Sequence, residues 1–222
     1  MVGLENRVVI EVFGEGKTDV GHNPTPQSPS EGVVPILLHM LCGRPDGMMV
    51  KRFGIPFLQQ KGTGKGLWQK VRFAKRQARY GKSDAAVFVV DTEGDLKGKR
   101  EQLAKGRDAE LPQFPMAVGV AHPCIEAWLL ADAQAIRRGL SLSRTPEVPD
   151  DPEALSAPCR DRRNNAKSEL AKAAGSTHKD ISAREKDGIA AEMNDMDLVR
   201  TRCPAGFGPF AGEVESRIRP LF

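Results

Sequence analysis

The stretch Ala85-Ala86-Val87-Phe88-Val89-Val90, running directly into Asp91-Thr92-Glu93-Gly94-Asp95, decides the fold. Four of its six apolar residues are β-branched or aromatic, and polar residues do not alternate with them. A short run of this kind is expected to be a strand buried on both faces, as in a parallel sheet with helices on either side. The carboxylates that follow then lie on the rim of that sheet, which is where open α/β sheets bind ligands. A second run repeats the design: Arg7-Val-Val-Ile-Glu-Val-Phe13 leads into Gly14-Glu15-Gly16-Lys17-Thr18-Asp19.

Working outward, Met48-Met49-Val50 with Phe53 and Met116-Ala-Val-Gly-Val120 supply two more strands, for about four in all. Between them the periodicity predicts helices: one through Val33–Leu41, with Pro35 confined to the first turn because it has no amide proton, one over 67–80, one from Lys97 to about Lys105, and one over 124–138. In the 67–80 helix, Leu67, Val71, Ala74 and Ala78 form an apolar stripe opposite a strongly basic face. Strand and helix in alternation indicate a parallel sheet flanked by helices. The segment from Gly21 to Ser30 is dense in Pro and Ser and reads as an irregular loop overhanging the first acidic motif. Residues 141–158 read as a linker or long connection. Beyond it no strand-like run occurs, and helices are expected around 164–174 and 211–219. The chain therefore divides into a core over 1–140 and a helical extension over 141–222 packed on that core.

The two acidic motifs together resemble the Toprim domain shared by topoisomerases, bacterial-type primases and several nucleases. Glu15-Gly16 stands for its first motif, and Asp91, Glu93 and Asp95 stand for its alternating acidic triplet, with Glu at the middle position where Asp is usual. His122-Pro-Cys-Ile-Glu126-Ala-Trp128-Leu-Leu-Ala-Asp132 is similar to a stretch of a small stand-alone Toprim-like family, the domain-of-unknown-function group 4276, which often accompanies bacterial anti-phage and ATPase genes. The resemblance covers residues 7 to 135. It implies a Toprim-like (Rossmann-like) α/β fold, a magnesium-dependent endonuclease, a role in phage defence, and a separate ABC- or SMC-type ATPase as partner.

The residues themselves point to the same chemistry. Glu15, Asp91 and Glu93 at two strand ends form an oxygen-only donor set, which favours Mg²⁺ or Mn²⁺ over zinc. A carboxylate-held ion activates water and neutralises the oxygens of a phosphodiester. Asp91 and Glu93 are the candidate direct ligands, and Glu15 either completes the shell or acts as general base. Asp95 and Asp19 either ligate the ion further out or cap the helices behind them. Glu126 is either a further ligand or a first-turn carboxylate favoured by the helix dipole. Trp128 and Leu129 read as core, and His122 as a residue of the same rim whose role is structural or a contact to phosphate. Lys97, Lys167 and Lys65 within Gly62-Thr-Gly-Lys65-Gly66 are candidate charge stabilisers.

The net charge is only +4, from 33 Lys and Arg against 29 Asp and Glu, but the cations cluster. Lys65, Lys70, Arg72, Lys75 and Arg76 fall in one segment, and Arg160, Arg162, Arg163 and Lys167 in another. Either cluster is a nucleic-acid contact or a solvated helix face. Neither lysine-bearing glycine run is a Walker loop, since Glu11 and Gln59 stand where the pattern needs its first glycine. Cys42, Cys124, Cys159 and Cys203 lie far apart, so no zinc knuckle or disulfide framework is indicated and reduced thiols in a cytoplasmic protein are expected. No run approaches the length of a membrane span. The expected function is thus a metal-dependent phosphodiesterase, a DNA nuclease with a partner ATPase, as a monomer or homodimer. Two alternatives stay open: a non-catalytic adaptor that binds nucleic acid or the ATPase, and an enzyme directed at RNA or a nucleotide.

Overall fold

The computed structural model describes residues 7–14, 22–25, 28–53, 66–92, 94–156, 165–177 and 180–222, with the side chains of 22–30 and of Phe53 left aside. Its centre is a four-stranded sheet in the order β4-β1-β5-β6, formed by β1 (Val8–Gly14), β4 (Met48–Phe53), β5 (Ala85–Asp91) and β6 (Met116–Ala121). Every pairing is parallel: Ile10 lies opposite Ala85, Val8 opposite Met48, and Asp91 opposite Ala121. The α/β class with a parallel four-stranded sheet flanked by helices is therefore present.

The unbroken apolar run of β5 explains the layering. Ala85, Val87 and Val89 face one hydrophobic cluster while Ala86, Phe88 and Val90 face another. The smaller cluster is closed by α2 (Leu67–Tyr80) and α3 (Leu96–Asp108), through Val71, Ala74, Ala78 and Leu103. There the rings of Phe13 and Phe88 stack at 6.4 Å. Burying a side chain of that size stabilises the fold by about 1.5–3 kcal/mol. The larger cluster lies under α1 (Val33–Leu41), α4 (Ile125–Leu130) and the C-terminal helices α6 (Ala166–Ala173), α7 (Ala183–Ala191), α8 (Met196–Arg202) and α9 (Phe207–Arg217).

The C-terminal third is built into the sheet. Trp128 of α4 stacks on Phe210 of α9 at 5.4 Å and meets Phe207 edge-on at 5.3 Å. Phe210 also presses on β6 at Gly119, where an added Cβ would stand 2.7 Å from the ring. Only glycine admits that approach. On the other flank Arg107 of α3 pairs with Glu213 of α9, and Arg202 of α8 binds the main-chain carbonyls of Ala131 and Pro149.

Two expectations need correction. The helix expected over 124–138 is two helices, α4 and α5 (Ala133–Gly139), because Asp132 turns its carboxylate onto the Ala135 amide at 2.9 Å and starts a new N-terminus. The segment expected to be wholly irregular contains a short antiparallel pair, β2 (His22–Thr25) and β3 (Ser28–Ser30). Within the expected 141–158 connection, the described residues 141–156 include a 3₁₀ turn at Pro152–Ala154 whose Glu153 accepts from the Ala205 amide at 2.6 Å and from the Gly206 amide.

A candidate site on the carboxyl rim of the sheet

Strand order fixes where a ligand would sit. The chain passes from β1 to β4 on one side and then to β5 on the other, so the order reverses between β1 and β5, whose carboxyl ends lie side by side. A crevice at such a reversal is the general ligand site of open α/β sheets. Asp91 ends β5 there. Glu15 follows Gly14 in the chain, but Glu15, Asp19, Glu93 and Lys65 fall outside the described residues.

Asp91 is held from three directions. Its Oδ1 accepts the Ile125 amide at 3.1 Å, its main-chain carbonyl accepts the Lys99 ammonium at 2.6 Å, and β6 pairs with it at Ala121. A part-exposed carboxylate fixed in this way is pre-organised for a cation or a proton. Lys99, not the exposed Lys97, is the α3 lysine that reaches the rim. Sequence spacing pointed only to the nearer lysine.

Two other candidate ligands, Asp95 and Glu126, are committed to structure. Asp95 caps α3, accepting from Gly98 N at 2.9 Å, and a Cβ on Gly98 would sit 2.3 Å from its carboxylate. Between Thr92 and Asp95 the turn passes through Gly94 at φ 95°, a conformation that favours glycine. Glu126 occupies the first turn of α4 and is 1% exposed. Its Oε1 takes the Lys186 ammonium at 2.7 Å, with Lys167 at 3.8 Å from the same oxygen. Burial alone raises the Glu126 pKa, and the charges of Lys186 and Lys167 more than offset this, so it ends below the usual carboxylate range. A neutralised, buried carboxylate is a poor choice for a hydrated ion on the rim. Of the ligand set foreseen for magnesium, Asp91 fits best among the described residues, and no group of three or more His, Cys, Asp or Glu suited to a metal occurs among them.

His122 belongs to the rim, with a defined hydrogen-bond role. Thr92, fully buried, donates its one hydroxyl proton to the Pro123 carbonyl at 3.0 Å, and the same Oγ1 lies 3.2 Å from His122 Nδ1. A carbonyl only accepts, so the hydroxyl proton is committed there and Nδ1 must carry the imidazole proton. Nε2 is then the basic nitrogen. Burial, and next the charge of Arg100, push the His122 pKa down against the pull of Asp151, which favours the neutral ring. Cys124 beside it is fully buried and its thiol is pushed well up, chiefly by burial, so it is not a nucleophile. Cys42 and Cys203 are also free and buried, and Cys159 lies outside the described residues.

The foreseen basic face is smaller than its charge count. Lys75 is 3% exposed and donates to the Arg107 carbonyl at 2.6 Å, so it lies inside the α2–α3 seam and is removed from that face. Arg72 and Arg76 both reach Glu110, at 3.1 and 2.6 Å. Trp68, unremarkable in the sequence, lies under Arg72 at 5.8 Å and Lys105 at 4.8 Å, so the helix pair presents an aromatic ring among cations. The remaining candidates there are Lys70, Arg72 and Arg76. No described helix is long and apolar enough to cross a membrane.

Compared with protein-family models, curated proteins and solved structures, the chain matches none of them.

Proposed function

We propose that this chain is a metal-dependent, Toprim-like phosphodiesterase: a DNA nuclease of phage defence or repair that works with a separate ABC- or SMC-type ATPase. One observation carries the reading. The strand order brings the ends of β1 and β5 together at the reversal point, so Asp91 and Gly14, the residue before Glu15 in the chain, end neighbouring strands of one rim.

Asp91, Glu15 and Glu93 are the residues that would hold Mg²⁺ or Mn²⁺, an ion that acidifies bound water and neutralises phosphoryl oxygens. Lys99 and the Ile125 amide keep Asp91 in place. His122, with Nδ1 protonated against Thr92, offers Nε2 to a proton. Lys70, Arg72 and Arg76 contribute phosphate-backbone affinity.

The test is Mg²⁺-dependent cleavage of DNA by the purified protein, with Asp91→Asn as control. Expected are loss of cleavage in chelator and in the variant, with the circular dichroism unchanged. Undiminished cleavage in excess chelator overturns the reading. The adaptor alternative is favoured by the structural use of Asp95, Asp132 and Glu126. It predicts DNA or ATPase binding without turnover and no effect of Asp91→Asn. RNA and nucleotide substrates are tested in the same assay.

A further inference from the structure

Two lysines converge on one buried carboxylate oxygen, and they are not equivalent. Lys186 is 1% exposed, lies 2.7 Å from Glu126 Oε1 and 3.0 Å from Asp180, and is fully matched by those two acids. Lys167 stands 3.8 Å from the same Oε1, beyond hydrogen-bond length, and its side chain is 38% exposed. Glu126 Oε2 is fully buried, and the Cys124 thiol lies beside this carboxylate. Lys186 is shared between Glu126 and Asp180, and Lys167 balances the second negative charge from a distance at which it forms no hydrogen bond to Glu126.

Lys167 is also badly placed for local stability. It is the second residue of α6, after the Asn165 cap, where the helix dipole disfavours a cation. Its side chain is partly enclosed by protein, and no described residue accepts a hydrogen bond from its three N–H donors. Its ion pair with Glu126 leaves those donors unspent, and a residue set against its local preference is a candidate for function. Its pKa is raised, first by Glu126 and in smaller part by Asp180 and Asp91, against burial and Lys186, so it stays charged and lies within the field of Asp91 on the rim.

We propose that Lys167 grips a non-bridging phosphoryl oxygen of the substrate at this rim, with the Glu126–Lys186 pair as the platform that positions it; the proposal rests on the phosphodiesterase reading above. A lysine ammonium is a compact point charge suited to a phosphoryl oxygen. In hydrolysis a water oxygen bonds to phosphorus, the water proton passes to a base, and the P–O bond to the leaving group breaks. The leaving oxygen keeps the electron pair and takes a proton from solvent. Lys167 keeps its own proton throughout and supplies charge where negative charge builds up.

The experiment compares wild type, Lys167→Gln, Lys167→Arg and, as a control on the same helix, Lys172→Gln, whose side chain is 79% exposed. Mg²⁺-dependent DNA cleavage, competitive inhibition by inorganic phosphate, Mn²⁺ binding and the thermal midpoint are followed. Expected for Lys167→Gln are a fall in kcat/KM of about 100-fold, of the order seen when one charge-stabilising donor is removed, loss of phosphate inhibition, retained Mn²⁺ binding and an unchanged midpoint. Lys167→Arg recovers part of the rate, and Lys172→Gln behaves as wild type. Wild-type kcat/KM and phosphate inhibition in Lys167→Gln overturn the proposal. So does a loss of activity in both Lys167 variants that only tracks a lowered midpoint. If the wild type cleaves nothing, the phosphodiesterase reading fails, and phosphate binding by calorimetry then decides alone: weaker binding in Lys167→Gln supports the grip, and equal binding overturns it.

Discussion

Lys186 of α7 and Glu126 of α4 face each other at 2.7 Å with both side chains 1% exposed, which joins a helix of the C-terminal third to the rim of the sheet. Sixty positions of sequence separate them. Removing one partner of a buried pair strands the other charge, at a cost of about 3–5 kcal/mol, while replacing both with apolar groups of similar shape is often neutral. Lys186→Met is therefore expected to lower stability by that order in urea denaturation. The double variant Glu126→Leu/Lys186→Met is expected to recover most of it, which makes the two losses strongly non-additive. The pair also sets an acid limit: the Glu126 carboxyl lies below its ordinary value when folded, so its contribution is complete above that ordinary value and is lost as pH falls through the folded one.

Removal of the metal or of its best-placed ligand should have the same effect. Asp91→Asn and Glu15→Gln are each expected to abolish Mg²⁺- or Mn²⁺-dependent cleavage without unfolding the chain. Zn²⁺ should substitute poorly, because the donors are oxygens. Cleavage by Asp91→Asn at the wild-type rate would remove this carboxylate from the mechanism.

His122 gives a pH dependence of defined sign. Its folded pKa is lowered, first by burial, so as pH falls below the ordinary histidine value of about 6.5 the unfolded chain binds a proton that the folded chain refuses. Stability from this residue is present above that value and is lost through the window down to the folded pKa. His39 is shifted in the same direction, so His122→Asn should flatten only part of the decline in unfolding free energy between neutral and mildly acidic pH.

The tautomer is open to direct observation. Nitrogen-15 NMR of the imidazole should show a protonated Nδ1 and a bare Nε2. Thr92→Val deletes the acceptor for Nδ1 and the donor to the Pro123 carbonyl, and should cost about 1–3 kcal/mol through the unsatisfied groups left behind. An Nε2-protonated ring in the wild type would contradict the hydrogen-bond assignment.

The basic helix separates into two experiments. Lys70, Arg72 and Arg76 changed together to Gln should weaken binding to all DNA sequences and reduce the salt slope by about 0.9 for each phosphate no longer neutralised, measured by fluorescence anisotropy. Lys75→Gln should instead lower the melting temperature, since its ammonium caps the Arg107 carbonyl inside the α2–α3 seam. If the triple variant binds DNA normally but loses an ATPase partner, that face is a protein-docking surface.

Much of the sheet was readable from local pattern. The run at 85–90 is apolar on both faces because both faces are covered, and the stripe through Val71, Ala74 and Ala78 is the one buried in α2. The break at Asp132 was missed because an Asp inside an apolar periodicity reads as a tolerated polar residue until its carboxylate is seen on the Ala135 amide. The site was legible only as a set of acids. Nothing near Glu126 in sequence announces Lys186, and nothing in the Asp91–Asp95 spacing tells a ligand from a helix cap. Those distinctions rest on contacts between distant segments. The burial of Lys75 could have been suspected, because it adjoins Ala74 and lies four residues after Val71 on the stripe.

The ring of Phe210 against Gly119 has a consequence for synthesis. All four strands of the sheet have left the ribosome once Ala121 has been made and extruded, and α2 and α3 can then close one face. On the other face α1 is already made and α4 follows at once, but the seat over Gly119 is filled only by Phe210 of α9. Until then the groove over Gly119 is open apolar surface on a nascent chain, and only glycine there keeps the seat shaped for a ring that arrives last. The residues of the whole sheet are thus synthesised well before the helix that fills the seat over Gly119.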